Sequence, residues 1–168
     1  ELYIPDAILI TCSTMNRSAS YVRDAMAEHE IPVVQIDEAM MEAAVDHGGK
    51  VLVIATHGPT VKNTQALLRE TAEGRGVELS YTGATIEEAF ALLGKGDIDS
   101  HNELIARAIR RTRKRESIDS VVLAQLSMSV FSFTYPDPVE TFGIPVFTSG
   151  ETGFAKARRL LISEESER

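Results

Sequence analysis

Cysteine occurs once in the chain, at Cys12, where the apolar run "AILITC" (7–12) gives way to "STMN". The residue types on either side of that boundary suit acid–base work on carbon. The β-branched and leucine side chains place the thiol at the carboxyl end of a strand, where ligands sit in open α/β sheets. Ser13 and Thr14 follow at once, and a helix starting behind them would offer free backbone N–H groups beside two hydroxyls. Such an arrangement cradles a carboxylate. Helix starts also favour the thiolate form of a neighbouring cysteine, and a thiolate can take a proton from carbon or return one. The competing expectation is a buried structural thiol, since free cysteine is among the most buried residue types.

Two other strand ends carry residues of the same kind. In "ATHGPT" (55–60), Gly58 and Pro59 force a turn, Thr56 and Thr60 bring hydroxyls to a helix start, and His57 is a possible acid or base near neutral pH. A loop histidine without a role and threonines that only cap the helix are the plainer alternatives. In "AQLSM" (124–128), Gln125 can hydrogen-bond a substrate oxygen but cannot exchange a proton, and Ser127 adds a hydroxyl. The plainer role for Gln125 is an amide that satisfies buried backbone.

The elements that must position these residues alternate along the chain. Strands are expected at 7–12, 31–36, 50–56, 77–82 ("VELSYT"), 118–125 and over "IPVFTS". Continuous apolar runs among them suit strands buried on both faces of a parallel sheet. Helices are expected over 16–29, 37–47, about 60–74, 85–93, about 100–115 and about 150–162, with "SEESER" as a frayed tail. Ser100 and Glu103 read as a capping box for the fifth of these. The stretch 132–143, with Pro136 and Pro138, reads as a loop that is helical in part. Alternation of this kind specifies α/β architecture with right-handed crossovers.

Composition narrows the class. Hydrophobic residues at 43% and charged residues at 25% describe a globular chain rather than a disordered one. No apolar run reaches the roughly 20 residues of a membrane span, and no signal segment directs the chain out of the cytoplasm. A lone cysteine excludes an intrachain disulfide and a cysteine-based zinc site. The net charge of −8 argues against a nucleic-acid partner. The basic run "RAIRRTRKR" (107–115) fits the last turns of a helix, where cations suit the dipole, and reads as a solvated face. "GDIDSH" (96–101) is explained by capping and solvated aspartates rather than by a metal, and "EAMMEAAV" (38–45) by core packing.

An internal repeat organises the whole. Shifted by 113 residues, "DAILITCSTM" (6–15) lies on "DSVVLAQLSM" (119–128), and "EIPVV" (30–34) lies on "GIPVF" (143–147). The register sets Gln125 on Cys12. Two similar α/β halves facing each other follow from it. Residues 1–49, closed by the C-terminal helix at about 150–168, form the remainder of the first half, and 50–149 form the second. "KVLVIATHGPTVKNTQALL" (50–68) has no counterpart in the first half, so the repeat predicts a βαβ portion of about 60 residues ahead of Glu1.

"DAILITCSTMN", "KVLVIATHGPT", "DSVVLAQLSM" and "GIPVFTSGETGFAKARRLL" together resemble the aspartate/glutamate/hydantoin racemase superfamily, over essentially the whole chain and in the same order. The resemblance implies two pseudo-twofold related parallel-sheet halves flanked by helices, the first incomplete at its N-terminus. It implies proton transfer without a cofactor, in which two facing cysteines serve opposite faces of a carbon next to a carboxylate. Cys12 matches the first cysteine, and Ser13 and Thr14 match the carboxylate-binding positions after it. Thr56 and Thr60 fall in the turn that opens the second half. Gln125 falls on the second cysteine, and there the chain departs from the pattern, because two-base racemisation needs a proton donor on each face.

The expected function is thus proton transfer on a small carboxylate or amino acid, with Cys12 as acid and base. Ser13, Thr14, Thr56, Thr60 and Ser127 would hold the substrate, and Gln125 would orient it. No metal is expected; the lack of a signal segment points to the cytoplasm, and the resemblance implies a homo-oligomer. Two rivals remain open: a non-catalytic carboxylate-binding relative, and a one-cysteine decarboxylase or lyase in which His57 supplies a second acid or base.

Overall fold

The computed structural model describes residues 4–166; the side chains of Thr14, Asn16, Arg17 and residues 163–166 lie outside the described set. Six strands, all paired in parallel, form two sheets. β1 (Ile8–Ile10) pairs with β2 (Val33–Gln35). β3 (Lys50–Ala55), β4 (Ser80–Thr85), β5 (Ser120–Leu123) and β6 (Val146–Thr148) form a four-stranded sheet in the order β4-β3-β5-β6. The helices are α1 (Ala19–Ala27), α2 (Glu38–His47), α3 (Gly58–Arg75), α4 (Glu87–Gly94), α5 (Ile98–Arg115), α6 (Phe131–Thr134), α7 (Pro138–Phe142) and α8 (Ser149–Ser166). This is the α/β architecture that the alternating pattern specifies.

The four-stranded sheet carries the core. Leu52 and Ile54 of β3 and Val121 and Leu123 of β5 face one side, packed with Ile105 and Ile109 of α5 and with Phe131 and Phe142. Their neighbours Val51, Val53, Ala55 and Val122 face the other side, against Met40, Met41 and Ala44 of α2 and Leu68 and Ala72 of α3. Alternate side chains point to opposite faces of a strand, so helices on both sides require an unbroken apolar run. β3 and β5 meet that requirement. β1 does not: Ile8, Leu9 and Ile10 are only half-buried, since β2 is its sole strand neighbour among the described residues.

Several boundaries differ from those expected, each for a local reason. Where a helix over 16–29 was expected, a 3₁₀ stretch occupies Ser13–Ser18 and α1 begins at Ala19. Serine, threonine and asparagine are weak helix formers, and "STMNRS" (13–18) is rich in them. α5 is not capped by Ser100. It starts at Ile98, and the Asp97 carboxylate accepts from the Ser100 N–H at 3.1 Å. That backbone hydrogen bond also holds the Asp97 carboxyl below its ordinary value. β4 starts later than "VELSYT", because Gly76 at φ +66° and the Val77 N–H close the end of α3. Gly83, a poor strand former, sits in its middle, where a Cβ would meet Val61 at 2.6 Å. α8 runs on to Ser166 where the sequence suggested fraying; Glu167 and Arg168 lie outside the described residues.

The C-terminal helix is tied back to the first sheet. Lys156 of α8 bonds Glu38 at 2.9 Å, and Arg23 of α1 bonds the other oxygen of the same carboxylate at 2.8 Å. Gly153 lies so close to β2 that a methyl there would fall on the Ile36 carbonyl oxygen.

Candidate functional site

The carboxyl ends of β1, β3 and β5 meet, and hydrogen bonds join them. The Ser13 hydroxyl donates to the Ala124 carbonyl at 2.9 Å, across 111 residues of sequence. Cys12 and Gln125, the pair that the internal repeat superposes, each lie one residue from that bond. The backbone repeats as well. The Met15 N–H donates to the Cys12 carbonyl and the Met128 N–H to the Gln125 carbonyl, both at 2.9 Å. Each strand end therefore runs into a 3₁₀ turn, Ser13–Ser18 after β1 and Leu126–Val130 after β5.

Gln125 is fixed by β3. Its Oε1 accepts the Thr56 backbone N–H at 2.7 Å and the Thr56 hydroxyl at 2.9 Å. A backbone N–H can only donate, so the amide orientation is set and the Gln125 NH₂ is the end left to act on a ligand. Thr56 is buried, at 1% exposure, whereas Cys12 is exposed. The thiol is therefore not buried among the described residues, unlike the structural cysteine that was the competing expectation.

The sequence-derived residues separate into groups. Ser13 and Thr56 direct their hydroxyl protons to protein acceptors: Ser13 ties the end of β1 to that of β5, and Thr56 ties the end of β3 to that of β5. Thr60 lies in the first turn of α3, half-buried, and Ser127 is exposed in the second 3₁₀ turn. None of the described hydrogen bonds uses either hydroxyl. The side chain of Thr14 lies outside the described residues. His57 stands apart from the Ser13–Ala124 contact: its exposed ring packs on Phe90 of α4, with centroids 5.2 Å apart. α4 follows β4, on the opposite flank of β3 from β5.

Two features were missed in the sequence. At the end of β2, beside that of β1, the Gln35 amide donates to the buried Asp37 carboxylate at 2.8 Å. The signal was a pair of polar residues closing the apolar run "IPVVQID". Ser129, two residues past Ser127, accepts the Gly150 N–H at 3.0 Å and so docks the start of α8 on the second 3₁₀ turn. At the start of α2, Glu38 is held as a carboxylate. Burial raises its carboxyl, but the hydrogen bonds and charges of Lys156 and Arg23 outweigh it and bring the value below the ordinary range. No group of three His, Cys, Asp or Glu side chains among the described residues is arranged to hold a metal. No described helix is long and apolar enough to cross a membrane.

Comparison with known proteins agrees with this fold. Residues 4–157 match the family model described as Asp/Glu/Hydantoin racemase. Solved structures with a similar fold include a glutamate racemase from Bacillus anthracis, at 17% identity and TM-score 0.62 over 95% of this chain. An allantoin racemase from Klebsiella pneumoniae aligns at 16% identity and TM-score 0.61 over 95% of the chain. An aspartate racemase homologue from Pyrococcus horikoshii OT3 aligns at 24% identity and TM-score 0.61 over 93%. The chain spans 59%, 60% and 65% of those three proteins, respectively. A comparison with curated protein sequences finds no match.

Proposed function

Because the chain belongs to the Asp/Glu/hydantoin racemase family, we propose that it moves a proton at the carbon next to the carboxylate of a small acid or amino acid, with Cys12 as acid and base. The observation that carries this reading is the Ser13–Ala124 hydrogen bond, which sets the exposed thiol and the Gln125 amide on either side of one contact between the halves. The Cys12 thiolate takes the proton, and the electron pair left on carbon delocalises into the carboxylate. The same thiol, once it has exchanged with water, returns a proton to the same face. The thiol supplies this chemistry itself, and the reading includes no cofactor. It places the chain in the cytoplasm as a homo-oligomer.

Gln125 orients the substrate through its NH₂ and cannot deliver a proton to the opposite face. The reading is therefore one-sided exchange rather than efficient inversion. His57 has no part in it, because its ring is engaged by Phe90. Incubation of small carboxylates in D₂O tests the proposal: deuterium should enter next to the carboxylate with wild type and not with Cys12→Ala. Carboxylate binding without chemistry is the second reading, favoured by the amide at position 125. Saturable binding of a carboxylate that shows neither exchange nor loss of CO₂ would select it.

A further inference from the structure

The basic run of α5 does not form one solvated face. Arg110 and Arg113 turn toward α7: Arg110 lies over the Phe142 ring at 5.4 Å, and Arg113 donates to the Phe142 carbonyl. Arg107, Arg111 and Arg115 turn the other way, and with Thr82, Thr85 and Glu116 they line a cleft of 710 Å³ between α5 and β4. Just past the end of α5, the Thr82 hydroxyl donates to Glu116 at 3.4 Å. Glu116 already pairs with Lys50 at 2.5 Å, and Arg107 with Glu103 at 3.3 Å. Arg111 takes part in no described ion pair. The cleft is thus cationic in a chain whose net charge is −8.

Its other wall is an open sheet edge. β4 pairs only with β3 among the described residues. Ser80 and Ile86 direct their N–H groups to β3, so in a parallel strand the peptide groups of Tyr81, Gly83 and Thr85 face outward. Such an edge is a template for another strand. The helical spacing fits the same guest. Residues four apart on a helix stand about 6 Å apart along the axis, and alternate residues of a strand stand about 6.6 Å apart.

We propose that β4 and α5 form a docking groove for an extended acidic segment of a partner protein, which adds to the free edge of β4 and sets alternate carboxylates against Arg107, Arg111 and Arg115. A peptide fits better than a nucleic acid, because the outward N–H and C=O groups of β4 offer the main-chain pairing that only another strand can complete. The groove lies two strands from Gln125 and does not depend on the chemistry proposed there.

The test is fluorescence anisotropy of a labelled octapeptide alternating Glu and Thr, titrated with the whole chain. Saturable binding is expected, weakened about tenfold by Arg111→Glu, as reversal of a paired charge at an interface does. The variant should unfold at the wild-type temperature, because Arg111 is exposed. Slowed amide exchange at Tyr81, Gly83 and Thr85 on binding would establish strand addition. Any of three results would overturn the proposal: no saturable binding, equal binding by Arg111→Glu, or equal binding of a backbone N-methylated peptide. Displacement by a single-stranded oligonucleotide at lower concentration than unlabelled peptide would also overturn it, in favour of a nucleic-acid ligand.

Discussion

Thr56 gives both of its hydrogen-bond donors to the side-chain oxygen of Gln125, the backbone N–H at 2.7 Å and the hydroxyl at 2.9 Å. The pair locks β3 to β5 at the ends of their strands and leaves the NH₂ as the end of the Gln125 amide that can face a ligand. In the proposed function a glutamine at this position has two roles, one structural and one toward a ligand, and substitution can separate them.

Gln125→Leu should remove both. It leaves the buried Thr56 N–H without an acceptor, a loss of about 1–3 kcal/mol. Gln125→Glu keeps an acceptor for Thr56 and replaces the NH₂ with negative charge. It should unfold near the wild-type urea midpoint yet bind carboxylates at least about tenfold more weakly, the equivalent of 1.4 kcal/mol. Urea titration and calorimetric binding measure the two effects separately. Equal carboxylate affinity in Gln125→Glu would remove Gln125 from the ligand site.

Ser13→Ala should act on position rather than on affinity. It deletes the bond to the Ala124 carbonyl, with an expected loss of about 1 kcal/mol of stability. The segment carrying Cys12 loses its tie to β5, so the rate of proton exchange should fall while saturation by substrate stays near wild type. A fall in affinity alone would make Ser13 a ligand contact instead of a brace.

The Glu38 carboxyl gives a pH dependence of defined sign. Lys156 and Arg23 hold its folded value below the ordinary 4.5, against the raising effect of burial. The stability from this group is therefore complete above that value and is lost as the pH falls through the depressed folded value. Urea midpoints of wild type and Glu38→Gln should differ at pH 7 and converge in acid. A gap that persists undiminished at pH 3 would show that the ion pairs to Lys156 and Arg23 are not its source.

Gly153→Ala tests the docking of α8 on β2. The added methyl would meet the Ile36 backbone oxygen, which cannot rotate away as a side chain would. A destabilisation of about 1–3 kcal/mol is expected, as for other overpacked contacts. The thermal midpoint should drop accordingly, and an unchanged midpoint would mean that α8 shifts freely.

Much of this site was legible in the residues. β3 and β5 carry unbroken apolar runs because helices cover both of their faces, so the runs located them directly. The repeat register, which superposes Cys12 and Gln125, foretold the two strand ends that Ser13 joins. What stayed hidden depends on side-chain direction. Nothing in "CST" tells whether the Ser13 proton goes to a ligand or to a carbonyl 111 residues away. Nothing in "ATHGPT" says that His57 turns to Phe90. The 3₁₀ turn after Cys12 was missed because its polar residues resemble a helix cap as closely as they resemble an interrupted helix. Gly83 hid the second half of β4, expected at 77–82 and found at Ser80–Thr85, since a residue kept small for Val61 weakens the strand signal.

The central claim is that Cys12 is a working acid and base. Deuterium incorporation next to the carboxylate should be measured by NMR for a panel of small acids and amino acids, with wild type, Cys12→Ala and His57→Ala side by side. The account predicts incorporation by wild type and by His57→Ala, none by Cys12→Ala, and retention of configuration in the labelled product. Incorporation that survives Cys12→Ala would contradict it.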